Sequence, residues 1–289
     1  MHILLYHGKY PAFGQYRGFL RLTTSQMLSN MNLSEDKMRS IVKSLIPPKL
    51  RFYMRIFWIG FADLITGTCF KFAKNSPEKL VRAKTWPEWI TIVQSINVSE
   101  WAENKKYNLR IAISRFQNVP IFPDEIFSFW HYVGNPTKKA GYKIGINIIK
   151  SQLDFDYGGG LCQLSGLLYH LALTGGIGVV KRYPHSVDLY ADETRYTPLG
   201  ADATTTYGYK DLRLRNTLDV PICFRTRIEG NQLIGSLCAP EPLREYELRF
   251  DKVLVDGIEE VDTLRGNESG EFEVICRQSY TIATHDTII

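Results

Sequence analysis

Three consecutive glycines, Gly158, Gly159 and Gly160, stand directly before an apolar run whose leucines Leu161, Leu164, Leu168 and Leu171 repeat at helical spacing. Gly175-Gly176 closes that run. Glycines admit backbone conformations closed to other residues and leave room for another group to approach closely. A helix therefore starts abruptly after the turn, and Cys162 falls in its first turn. There, unpaired backbone N–H groups and the helix dipole favour a negative charge, so the thiol is biased toward the thiolate that attacks carbonyls.

A cysteine nucleophile needs a base, and six histidines offer few. His170 lies eight residues further along the same helix, about 12 Å up its axis and too far for a hydrogen bond. His185, in Tyr183-Pro-His-Ser186, follows a predicted strand and can fold back toward the helix start. Asp202, or the nearer Asp188, can orient its ring, and Gln163 beside the cysteine is the expected oxyanion donor. A second use of the same turn is non-catalytic. Gly158, Gly159, Gly160 and Ser165 would then hold an anionic or peptide ligand at the helix N-terminus. The glycines match neither a P-loop, since no Lys-Ser/Thr follows, nor G-x-G-x-x-G, so no nucleotide cofactor is implied. Cys162 and His185 supply only two metal ligands, and no metal is expected. Free cysteines are usually small buried hydrophobes, which is the expectation for Cys69, Cys223, Cys238 and Cys276.

Away from the turn, the chain reads as α+β, with helices early and antiparallel strands late. Residues 1–106 form a helical N-terminal region. Within it, the apolar start of the chain lacks the basic flank and cleavage site of a signal peptide and is read as a first strand. Ser34 caps a helix that Pro47-Pro48 stops. Thr85-Trp-Pro-Glu88 fits a capping box ahead of Trp89, Ile90, Ile92, Val93 and Ile96, which predicts another helix. Residues 51–63 are the most apolar stretch, but Arg55 and Asp63 interrupt it short of the roughly 20 residues that span a bilayer. A buried or half-buried helix is expected there. The other reading is a helix on a membrane surface, with Arg51, Arg55, Lys71 and Lys74 toward headgroups.

Residues 107–240 form a core domain. A helix over 107–116 is followed by the aromatic segment 121–130, a strand over 142–150, the cysteine helix, and strands at 179–183, 203–207 and 211–216. A hairpin over 221–238 turns at Glu229-Gly-Asn-Gln232. Residues 241–289 are a C-terminal β extension, with strands at 246–255 and 271–282 around a polar loop at 265–270.

A formal charge of +5 from 35 Lys and Arg against 30 Asp and Glu, with no dense basic block, argues against nucleic-acid binding. Five scattered cysteines without C-x-x-C spacing fit a reducing compartment.

Five pieces in order resemble one family. They are Pro123-Asp-Glu-Ile-Phe-Ser-Phe-Trp130, then Tyr157-Gly-Gly-Gly-Leu-Cys-Gln-Leu-Ser165, then Lys181-Arg-Tyr-Pro-His185, then Gly200-Ala-Asp-Ala-Thr204, then Asp211-Leu-Arg-Leu-Arg-Asn216. Together they resemble the VanW family over residues 107–239. The resemblance implies a setting in vancomycin resistance of the B type and the cell envelope, without naming a reaction. It makes the expected ligand peptide-like or cell-wall related. The residues themselves point to acyl transfer or amide hydrolysis, in a protein located in the cytoplasm or at the inner face of the membrane.

Overall fold

A computed structural model describes residues 46–74, 76–149, 152–188 and 195–282. The chain divides into two compact units, Met1–Trp58 and Ile59–Ile289. The first strand expected at the N-terminus and the helix expected from Ser34 lie outside the described residues.

The described elements run in order: α1 (Pro48–Ile65), a 3-10 turn (Thr68–Lys71), α2 (Pro77–Ala83), β1 (Glu88–Ser95), α3 (Ala102–Phe116), β2 (Ile126–Ser128) and α4 (Phe129–Val133). There follow β3 (Ile144–Ile149), β4 (Gln152–Tyr157), α5 (Leu161–Thr174), β5 (Gly178–Lys181), β6 (Val187–Asp188) and β7 (Arg213–Arg215). The chain then continues with β8 (Cys223–Glu229), β9 (Gln232–Cys238), β10 (Leu248–Val255), β11 (Ile258–Gly266) and β12 (Phe272–Ile282). This is an α+β protein. Its strands form sheets of order β1-β9-β8, β10-β11-β12-β6 and β2-β7-β5, plus the hairpin β3-β4.

The cysteine helix is the centre of the core. Every residue of α5 is buried except Cys162 and His170. A helix apolar on nearly all sides must be wrapped by other elements. Here α5 packs on β1, β9 and α3, with Leu164, Leu167, Leu168 and Leu171 joining Ile90, Leu109, Leu233 and Leu237 in one cluster.

Several expectations are corrected. The apolar helix over 51–63 forms, but no residue of α1 is buried, and Tyr53, Leu64 and Ile65 are more than half exposed. Pro48 opens α1, a first-turn position that proline suits. The capping-box segment is strand β1, not a helix. Ile90, Thr91, Ile92 and Val93 are β-branched, and burial alternates with Ile90 and Gln94 inward. Antiparallel pairing with β9 places Ile90 opposite Leu237 and Ile92 opposite Gly235. Residues 203–207 form no strand; they carry a single bridge from Thr206 to Lys210. The stretch left unassigned between the two C-terminal strands is β11, joined to β10 through Asp256-Gly257, both at positive φ as a tight hairpin turn requires. The chain from 142 onward is a hairpin of two strands, β3 and β4, where one was expected.

Candidate active site

Asp202 is the electrostatic anchor of the site. Its Oδ2 accepts from both the backbone N–H and the ring Nδ1 of His185, each at 2.7 Å. Its Oδ1 accepts from Arg182 Nη2 at 2.8 Å and from the Tyr280 hydroxyl at 2.5 Å. Arg182 also donates from Nε to the Asp202 carbonyl at 2.7 Å and is held on its far side by Gln278. Burial pushes the Asp202 carboxyl up, but the His185 hydrogen bond and the Arg182 charge outweigh it and hold the group at about 2. A carboxylate this firmly ionised fixes Nδ1 as the protonated nitrogen of His185 and leaves Nε2 for another partner.

Cys162 is the group whose charge couples to the ring. Burial raises the thiol and lowers the imidazole, yet their mutual hydrogen bond and attraction reverse both shifts, with Asp202 the largest support for the ring. Cys162 comes down to about 7 and His185 goes up to about 9. Between those values thiolate and imidazolium are the favoured pair. The sulfur also lies 3.5 Å from Thr204 Oγ1 and 3.6 Å from the Thr205 carbonyl. Cys162 as a residue is half-buried. Its backbone N–H, in the first turn of α5, makes no hydrogen bond among the described residues.

The structure brings Cys162, His185 and Asp202 together, but it gives Gln163 and Ser165 other work. Gln163 is 1% exposed and its Nε2 donates to the Ser95 carbonyl on β1 at 2.9 Å, so its amide is committed to the core instead of an oxyanion. Ser165 is fully buried; its hydroxyl donates to the Ala203 carbonyl at 2.7 Å and ties α5 to the Asp202 segment. The side chain of Asp188, the other carboxylate considered, lies outside the described ones.

The glycine turn likewise serves the protein's own packing. Gly158 and Gly159 are buried, and a Cβ on Gly159 would lie 2.4 Å from the Gly145 backbone of β3. A Cβ on Gly160, at φ 97°, would lie 2.5 Å from Lys105 Cγ. The recess expected to hold a ligand is filled by β3, Pro136 and Lys105. A cleft of about 680 Å3 opens on another side, lined by Arg182, Pro184, Cys276 and Gln278 among others, and includes neither Cys162 nor His185.

Residues 104–238 match the family described as VanW like protein. These residues form a VanW-like segment. An uncharacterized protein of Bacillus subtilis (strain 168), YoaR, is 33% identical over 165 residues, which cover 57% of this chain and 51% of that protein. The vancomycin B-type resistance protein VanW of Enterococcus faecalis (strain ATCC 700802 / V583) is 32% identical over 149 residues, 51% of this chain and 54% of that protein. The chain thus spans about half the length of these curated relatives. No solved structure matches it.

Cys162, His185 and Asp202 all fall inside the VanW-like segment, whereas Tyr280 and Gln278, which complete the anchor, lie beyond it on β12. Sequence reasoning missed Arg182, Tyr280, Gln278, Thr205 and Lys105. Arg182 had a signal, since it stands three residues before His185 in a basic-aromatic motif. Tyr280 had none, because only pairing of β12 within its sheet brings it to Asp202.

Proposed function

We propose that this chain is a VanW-type accessory protein of glycopeptide resistance and the cell envelope, whose Cys162 site transfers or hydrolyses acyl groups of a peptide-like substrate. The resistance setting is taken from the name of the Enterococcus faecalis relative. The chemistry is supported above all by one arrangement: a helix-start cysteine is electrostatically coupled to a histidine whose ring a carboxylate, held at about 2, grips at 2.7 Å.

The steps follow from these groups. The Cys162 thiolate attacks the acyl carbonyl, and the carbonyl oxygen gains charge beside the Cys162 N–H. The C–N bond breaks, and His185 gives its proton to the departing amine. Neutral His185 then takes a proton from water, or from an acceptor amine, which attacks the thioester and releases Cys162. Asp202 stays ionised throughout and holds the ring in one tautomer.

Replacing Cys162 by Ser tests this. In a strain that depends on the protein for growth under vancomycin or envelope stress, Cys162→Ser at normal protein level should lose the phenotype. An unchanged phenotype removes the nucleophile.

The same reading places the protein at the cytoplasmic face of the membrane. It is supported by the start of α1, which exposes Leu50 and Tyr53 beside Lys49 and Arg51. No helix among the described residues is long and apolar enough to cross a membrane. Recovery of the protein outside the cell would contradict this placement.

A further inference from the structure

Lys105 stands in the first turns of α3, and its side chain runs across Gly160, two residues before the reactive sulfur. A Cβ on Gly160 would meet Lys105 Cγ, Cδ and Cε at 2.5, 3.2 and 3.3 Å, so only glycine lets the lysine stem pass here. The neighbouring Lys106 is paired with Glu103 at 2.9 Å. Lys105 has no such partner: its ammonium makes no hydrogen bond or ion pair among the described residues. It lies 5.5 Å from the centre of the Tyr196 ring and within electrostatic range of Cys162. Burial brings its pKa down to about 8, and attraction to the Cys162 thiolate works against that fall. A half-buried cation whose one charged neighbour, the Cys162 thiolate, is already coupled to His185 gains when a ligand supplies a second anion.

We infer that Lys105 is the substrate's anion anchor, and that the site takes peptides bearing a free carboxylate near the carbonyl that Cys162 attacks. The inference rests on the thiol chemistry proposed above and adds the substrate class to it. The carboxylate can be a terminal α-carboxylate or that of an acidic side chain; both present the same chemistry to an ammonium. The lysine stem lies along Gly160, two residues before Cys162.

The test uses the full chain and two alkylating probes of Cys162, anionic iodoacetate and neutral iodoacetamide, with labelling at Cys162 read by peptide mass spectrometry. His185 favours iodoacetate in every variant, so the comparison is between variants. The iodoacetate to iodoacetamide rate ratio should fall about tenfold in Lys105→Gln, the loss of one charge-assisted contact, and return in Lys105→Arg. An unchanged ratio in a folded Lys105→Gln protein overturns the inference. If neither probe labels Cys162 in the unsubstituted chain, the thiol reading fails and the anchor with it.

A second arm needs no substitution and decides the matter if Lys105→Gln does not fold. N-acetylglycylalanine, its C-terminal amide, and the C-terminal amide of N-acetylglycylaspartic acid are compared as protectants of Cys162 against iodoacetamide. Protection by the first alone assigns the terminal carboxylate, and protection by the third assigns a side-chain carboxylate. Equal protection by the uncharged amide, or none from any of the three, overturns the inference.

Discussion

One oxygen of Asp202 holds His185 at two points, the backbone N–H and ring Nδ1, both at 2.7 Å. The double contact fixes where the imidazole sits and which tautomer it adopts. Asp202→Asn keeps the shape and removes the charge, so the ring loses the largest support for its raised pKa. The Cys162 titration should then move up from about 7 toward the ordinary 9.0, and alkylation at neutral pH should slow. Wild-type alkylation rates in the Asn variant would show that Asp202 does not act through His185.

Stability toward acid should carry the signature of the same carboxylate. Its folded pKa of about 2 lies below its ordinary 3.8, so its stabilisation is complete above roughly pH 4 and is lost as pH falls through about 2. The Cys162 and His185 pair contributes little slope near neutrality. The raised histidine loses its contribution as pH rises through about 9, while the depressed cysteine loses its own as pH falls through about 7. Between those values folded thiolate with imidazolium and unfolded thiol with imidazole bind the same number of protons. Thermal melts from pH 2 to 9 should show an acid limb that is reduced in Asp202→Asn. An identical acid limb would count against the buried ion pair.

Tyr280 reaches Asp202 from β12 and also accepts the Gly200 N–H at 2.9 Å. Tyr280→Phe leaves that buried N–H and one carboxylate lone pair without a partner, which should cost about 1–3 kcal/mol. Chemical denaturation measures it. A loss below about 0.5 kcal/mol would mean that water or a neighbour restores both bonds.

The glycine turn should be intolerant for two separable reasons. Gly159→Ala drives a methyl into the Gly145 backbone and should destabilise by about 1–3 kcal/mol. Gly160→Ala strains a residue at φ 97°, which costs about 1–2 kcal/mol, and displaces the Lys105 stem as well. Gly160→Ala should therefore also lower iodoacetate labelling of Cys162, which a purely structural role would not do.

The cysteine helix and the β8-β9 hairpin were legible in the sequence because local signals agree there: leucine spacing with glycine ends in one, a polar turn between alternating strands in the other. Segment β1 was not, since a capping-box pattern and mixed helical spacing masked four β-branched residues whose pairing with β9 spans about half the chain. β11 carries Glu259, Glu260 and Asp262 on a strand and shows little apolar alternation, although Asp256-Gly257 marks the turn before it. At the site, Cys162, His185 and Asp202 could be named from short motifs. Gln163 was misread because adjacency in sequence on a helix turns the next side chain about 100° away, here into β1. Tyr280 and Lys105 enter from distant elements that only tertiary packing brings near.

The thiolate itself can be observed directly. Ultraviolet thiolate absorbance of the full chain, titrated against pH and compared with Cys162→Ser, should show one additional step with a midpoint near 7, well below the ordinary 9.0. A step at 9 or above would contradict the paired thiolate on which the proposed chemistry depends.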